Sequence, residues 1–222
     1  FCRPALCTTR SALRDVLRSR DIQWIDDPSN EDERFERVRV RSALQALEPL
    51  GIDAENLATV ARQMREASET LYFYALKAAR THVSLEHGDV VIAREPFADL
   101  PNDIARRILK VTLKWISGAE YGPRGRALDN MLWSIHEGRN MVLSGCLVTC
   151  RKNELRISRE FNAVKDLTAQ PGTPWDERWC LDGPKDGGLH ISALGEDGLT
   201  QCPDWRDTGL PRASLLASPS VW

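Results

Sequence analysis

Long hydrophobic runs are missing from this 222-residue chain. None approaches the roughly 18 apolar residues that a membrane helix needs, and the charged start FCRPALCTTRSALRD lacks the apolar stretch of a signal peptide. The expectation is a soluble protein of the cytoplasm. Lysine is scarce, only six of 30 basic residues. Arginine dominates, and guanidinium suits bidentate phosphate contacts and stacking on bases, although a GC-rich genome produces the same bias. No excess of one charge sign exists either. The net charge of -2 argues against a basic nucleic-acid coat and leaves only local patches to bind phosphate. The six cysteines (Cys2, Cys7, Cys146, Cys150, Cys180, Cys202) contain no C-x-x-C pair. That spacing excludes a zinc knuckle and points to reduced, buried thiols.

Catalytic motifs are equally sparse. DGPKDGG at 182–188 has glycines but neither Walker spacing nor a following helix, so it reads as a turn. There is no G-x-S-x-G, and His82, His87, His136 and His190 fall in unrelated contexts. No pair of carboxylates and no metal-ligating cluster stands out. Taken residue by residue, no catalytic centre is visible.

What is present is helical periodicity early and strand patterning late, an α+β arrangement: a helical N-terminal and middle part followed by a β-rich C-terminal module. TRSALRDVLRSR (9–20) predicts a short helix behind a capping Thr9, and DIQWIDDPSN an extended piece that turns at Asp27-Pro28. ERVRVRSALQAL predicts a helix ending near Pro49 and Gly51. Residues 54–80 predict a long amphipathic helix whose LYFYAL stretch (71–76) is covered on two sides and bridges two modules. DVVIARE reads as a strand. LPNDIARRILKVTLKWISG reads as a helix stopped by Gly118, with Ile104, Ile108, Val111 and Trp115 inward and Arg106, Lys110 and Lys114 as a cationic ridge. Another helix carries Leu128, Leu132 and Ile135. NMVLSGCLVTCRKNELRISRE reads as two strands joined at Lys152-Asn153, and LDGPKDGGLHISAL as a further hairpin. The expected divisions are 1–50, 51–138 and 139–222.

The sharpest feature is DDPSNEDERFERVRVR (26–41), six carboxylates and four arginines in sixteen positions. On a helix Arg34, Arg37 and Arg41 share one face, a ridge able to meet two or three phosphates. Composition alone favours a solvated ion-pair surface, each pair contributing about 0.2 to 1 kcal/mol.

The order of residues adds to this. WIDDPSNEDERFERVRVR (24–41) resembles the signature that closes the catalytic domain of tRNA(Ile)-lysidine synthetases: a Trp, an Asp-Pro-Ser-Asn turn, an aromatic, then Arg-x-x-x-Arg. Arg3, Pro4 and Leu6 match that family's Arg-Pro-Leu-Leu segment with Ala5 in place of a leucine. YGPRGRALDNML, LSGCLVTCRKNELRISRE and LPRASLLASPSVW resemble its C-terminal half. Val38 departs from the family, which has Asn after the first arginine.

The resemblance implies an ATP-dependent ligase that adenylates the C2 carbonyl of a tRNA wobble cytidine. The lysine amine then displaces AMP. It implies an active-site rim at Asp27, Asn30, Arg37 and Arg41; the cations Arg34, Arg39, Arg106, Lys110, Lys114 and Arg124 are the candidate tRNA contacts. The partners are tRNA, lysine and ATP with magnesium, and a homodimer stays open. The family holds ATP on a Ser-Gly-Gly-x-Asp-Ser loop that is not found here, and the chain starts at Phe1. The expectation is therefore a fragment, or a degenerate relative, without the ATP-binding PP-loop, inactive alone and with no ATP or magnesium of its own. Three rivals remain: a stand-alone RNA-binding module, a structural interaction domain, and a cytidine thiolase, whose usual C-x-x-C cysteines are missing.

Overall fold

The computed structural model describes residues 2, 4–5, 8–30, 32–183 and 188–222. Arg3, Leu6 and Cys7, along with Glu31 of the charged segment and the centre of the expected 181–194 hairpin, lie outside the described residues. The chain divides into two units, Phe1–Arg65 and Glu66–Trp222.

The first unit is helical. Thr9 caps α1 (Arg10–Ser19) as expected, its Oγ1 accepting from the Ala12 amide at 3.2 Å. A segment without regular structure leads to a 3-10 turn over Pro28–Asn30. α2 (Glu36–Leu47) follows and runs into a second 3-10 turn ending at Gly51, whose φ of +77° suits glycine. Asp53 then opens α3 (Ala54–His82), its Oδ1 accepting from the Asn56 amide at 2.7 Å. Among the described residues before position 66 only Val38 is buried, and Leu13, Val16, Ile25, Phe35 and Val40 are exposed.

The second unit holds the hydrophobic core. β1 (Val83–Glu86) and β2 (Asp89–Ala93) turn on His87-Gly88, both at positive φ, as a two-residue hairpin requires. α4 (Arg94–Ala98), α5 (Asn102–Ser117) and α6 (Gly125–His136) follow, then β3 (Met141–Leu143), β4 (Cys146–Cys150) and β5 (Glu154–Arg159). The antiparallel sheet runs β1-β2-β5-β4-β3. It joins residues on both sides of 138/139. Val90, Ile92, Cys146, Val148, Leu155 and Ile157 pack in one core cluster with Leu109, Leu113 and Ile116 of α5 and Met131 of α6. A smaller sheet orders β6 (Thr168–Ala169), β7 (Ile191–Ala193) and β8 (Pro219–Val221), with α7 (Gly195–Gln201) and α8 (Arg212–Leu216) between the last two strands. Its core gathers around Trp175, whose Nε1 donates to the Leu167 carbonyl at 3.1 Å. No helix among the described residues is long and apolar enough to cross a membrane.

The α+β expectation holds, and four finer readings are corrected. The 141–159 stretch is three strands, because Ser144 and Gly145 adopt φ of 53° and 67° and make a second tight turn. β7 pairs with β6 and β8 rather than closing a local hairpin, since strand partners come from distant sequence. Tyr72, Phe73, Tyr74 and Leu76 are exposed, so LYFYAL is not covered on two sides among the described residues; only Ala75 is buried there. Val111 and Trp115 are also exposed. The buried face of α5 is rotated toward Ala105, Leu109, Thr112, Leu113 and Ile116 because the sheet and α6 meet it on that side.

The second sheet face buries charge. Arg156, with 8% of its side chain exposed, donates to Asp89 Oδ2 at 3.1 Å and Glu86 Oε2 at 2.5 Å, and Ser214 Oγ donates to the same Asp89 oxygen. Burial pushes the Asp89 carboxyl up, against the Ser214 and Arg156 hydrogen bonds that favour its charge. Burial likewise opposes the Arg156 charge, but Glu86 and Asp89 outweigh it. Removing one partner leaves the other charge desolvated. Asp89→Ala is therefore expected to destabilise the protein by about 3 to 5 kcal/mol, read from the urea midpoint. Cys146, raised to about 11 by burial, should resist iodoacetamide at pH 8, whereas Cys2, Cys180 and Cys202 are exposed and should alkylate, as mass spectrometry of the peptides would report.

Candidate functional site

The turn at 26–30 is built by a side chain mimicking backbone. Asp27 Oδ1 accepts from the Ser29 amide at 2.8 Å, and the Asp27 carbonyl accepts from the Asn30 amide at 3.0 Å. Pro28 presets the φ that the first turn position needs. The Ser29 backbone amide, then its side chain, hold the exposed Asp27 carboxyl below its ordinary value, with the Arg37 charge adding to the effect. Asn30 closes the turn and is half-buried.

The four arginines of this segment take different surroundings. Arg34 precedes α2, so the expected three-residue ridge is corrected: Asp32 captures it, accepting from its Nε and Nη2 (2.6 Å to the latter) and from its backbone amide at 3.0 Å. That Asx turn stops the helix from starting earlier. The hydrogen bonds lower the Asp32 carboxyl and raise the Arg34 guanidinium. Arg39 is exposed and its Nη1 donates to the Glu33 carbonyl at 3.3 Å. Arg37 and Arg41, one helical turn apart, are exposed and have no ion pair among the described residues. Arg37 lies 4.7 Å from the Phe35 ring centroid, the distance of a cation–π contact.

In the second unit the Arg106, Lys110, Lys114 ridge is broken at its first member. Arg106 donates to Asp129 Oδ1 at 2.6 Å and sits 3.5 Å from Asp103, tying α5 to α6. Its charge is matched locally. Lys110 lays its stem against Gly122, where an added Cβ would come within 2.8 Å of Lys110 Cγ. Lys114 and Arg124 are exposed, the latter at the N-cap of α6. Asp27, Asn30, Arg37 and Arg41 belong to the first unit and these cations to the second.

Three arginines were missed by sequence reading. Arg156, Arg159 and Arg178 are nearly buried, and Asp176 Oδ1 lies 2.9 Å from Arg159 Nη2 while its Oδ2 lies 3.4 Å from Arg178 Nη2. Burial pushes the Arg178 guanidinium down, against the attraction of Asp176. The only available signal was the alternation in ELRISR, which sets Arg156 and Ser158 on one face and Leu155 and Ile157 on the other. Also unforeseen was the contact of Trp24 with Arg14 and Arg18, at 5.6 and 5.5 Å from the ring centroid. No group of three or more His, Cys, Asp and Glu side chains among the described residues is placed to hold a metal ion.

A depressed carboxyl gives a direct observable. Asp27 stays ionised at neutral pH, and its contribution to the turn is present above the unfolded value and fades as pH falls through the lower folded one. The Ser29 amide resonance should titrate with a midpoint below 3.8, the ordinary value; a midpoint at or above it would mean that the turn bond is not formed in solution.

Residues 1–48 match the family model described as a PP-loop domain. The chain is homologous to proteins named tRNA(Ile)-lysidine synthase. It is 48% identical over 222 residues to that of Ruegeria pomeroyi, covering 99% of this chain and 52% of the relative. It is 28% identical over 185 residues to that of Wolbachia pipientis wMel, covering 80% and 43%, and 28% over 199 residues to that of Bartonella quintana, covering 87% and 41%. The chain thus spans about half the length of the curated relatives it matches. The PP-loop match corrects the expectation of a fragment without that ATP-binding domain: residues 1–48 are PP-loop-domain sequence. The expectations of an inactive piece, and of one with no ATP or magnesium bound, fall with it. They rested on a single loop motif, whereas a domain match weighs the whole run of residue types along the segment.

Proposed function

We propose that this chain forms part of a tRNA(Ile)-lysidine synthase acting in the cytoplasm. The carrying observation is the 48% identity to the Ruegeria protein across 99% of the chain. It is joined by the PP-loop match over residues 1–48, the stretch that contains the Trp24 to Arg41 signature. In that reading the wobble cytidine's C2 oxygen attacks the α-phosphorus of ATP and pyrophosphate leaves. The lysine ε-amine then bonds to C2 and AMP leaves. ATP and lysine are substrates, and magnesium arrives on the ATP phosphates.

Asp27, Asn30, Arg37 and Arg41 form the proposed rim. Arg37 and Arg41 are exposed and make no ion pair among the described residues, and their guanidinium groups are the proposed phosphate contacts. Arg39, Lys110, Lys114 and Arg124 are the proposed contacts to the tRNA backbone. Arg34 and Arg106 are held by Asp32 and by Asp129 with Asp103, and their proposed role is to shape the surface beside those contacts. The proposed layout is 1–50 as the end of the catalytic domain, 51–138 as a tRNA-gripping region and 139–222 as a C-terminal module, the last two sharing the five-stranded sheet.

The test is conversion of a cytidine-bearing isoleucine tRNA to lysidine, with AMP release, by the full-length protein supplied with ATP and lysine. Arg41→Ala should lower turnover by about 10- to 100-fold, the loss of one hydrogen bond to a charged group, while shifting stability by less than about 0.5 kcal/mol. Normal turnover in that variant would reduce Arg41 to a surface charge. Salt-sensitive tRNA binding without AMP release by the wild type would replace the ligase with a non-catalytic RNA-binding module.

A further inference from the structure

The segment Ile22–Asp27 leads directly into the rim turn, yet it has neither helix nor sheet partners. Its one backbone hydrogen bond to α1 among the described residues is the Ile22 amide donating to the Leu17 carbonyl at 3.0 Å. Side chains do the rest. Trp24 and Asp26 both contact arginines of α1, and Ile25 between them is 95% exposed. On α1, Arg10, Arg14 and Arg18 recur every four residues. Four residues of helix advance about 6 Å, which sets successive arginines of α1 along the segment. The result is an interlocked set: Asp26 Oδ1 accepts from Arg10 Nη2 at 2.9 Å and from Arg14 Nη2, while Arg14 and Arg18 flank the Trp24 ring at 5.6 and 5.5 Å. Arg14 is the member that touches both Trp24 and Asp26.

We propose that Arg14 is a positioning residue: by joining the Trp24 ring to the Asp26 carboxylate it fixes the 22–27 segment against α1, and so sets where Asp27 and Asn30 sit. Asp26 is covalently next to Asp27, so a rotation of the segment about its own axis would carry the turn with it. Each contact is weak on an exposed surface, but the shared guanidinium makes them cooperate. Arg18 also lies over the Trp24 ring, but its Nη1 donates to Asp15 at 2.5 Å and it makes no hydrogen bond to Asp26 among the described residues. The planar fork matters here. A lysine would pair with Asp26 as a point charge but could not lie across the indole in the same way.

This role rests on the lysidine-synthase reading for its catalytic readout, and hydrogen exchange supplies one that does not. In the full-length protein, Arg14→Gln should lower kcat for lysidine formation about 10-fold or more, as expected of misplaced active-site groups, with tRNA affinity changed less than about 2-fold. Arg14→Lys should recover part of the loss, and Arg14→Gln combined with Asp26→Asn should be no worse than Arg14→Gln alone, the signature of a coupled pair. The Ser29 and Asn30 amides should exchange about 10-fold faster in Arg14→Gln, with the melting temperature of the protein unchanged. Unaltered exchange at those amides would overturn the role, as would an unaltered kcat, an effect carried wholly by tRNA affinity or by global unfolding, or additive losses in the double variant. A wild-type protein that forms no lysidine would instead sink the ligase reading, and the exchange measurement would still decide the positioning role.

Discussion

The pairing of β2 with β5 is the interaction on which the second unit depends. Its register, Val90 opposite Ile157 and Ile92 opposite Leu155, joins residues more than sixty positions apart. It creates both faces of the sheet at once. One face meets α5 and α6 through fully buried aliphatic side chains. The other brings Arg156 beside Asp89 and Glu86, with Ser214 of α8 completing the set. A slip of one residue would turn Arg156 into the apolar core and Leu155 toward the carboxylates. The hydrophobic core and the buried ion network therefore enforce the same register. Such a network contributes less to net stability than to excluding the wrong pairing, since its desolvation cost offsets much of its attraction.

Arginine serves opposite ends in the two units. Arg156, Arg159 and Arg178 are nearly buried against Asp89 and Asp176, where a guanidinium satisfies several acceptors from one planar group. Arg37 and Arg41 stand in solvent on α2 without an ion pair among the described residues. Between these limits, Arg34 and Arg106 have their charge matched by neighbouring aspartates. Neighbouring acidic residues thus pair with some of the exposed cations and leave others without an ion pair among the described residues.

Among its described residues the first unit buries only Val38, and its local order comes from caps and side-chain clamps. Thr9, Asp27, Asp32 and Asp53 each accept a backbone amide, and the arginines of α1 hold Trp24 and Asp26. Such contacts act over a few residues and depend on particular atoms. This is why the charged segment keeps its turn geometry although almost nothing around it is buried.

Local chemistry was legible in the sequence because its causes are close by in the chain. The Thr9 cap, the Asp27-Pro28 turn, the α2 and α3 periodicities and the stop at Gly118 each rest on residues within one or two helical turns. The likeness of residues 24–41 to a tRNA-modifying ligase was readable for the same reason, as an ordered string of residue types. Judging the ATP-binding domain by one loop failed because a domain is spread over its whole pattern. Which face of α5 is buried, that Ser144-Gly145 is a turn inside a three-stranded run, that Arg34 leaves the helix to bind Asp32 and that Arg106 is spent on Asp129 were decided by tertiary structure. Burial and ion pairing are set by which distant surfaces meet, and periodicity along one element carries no information about its partner.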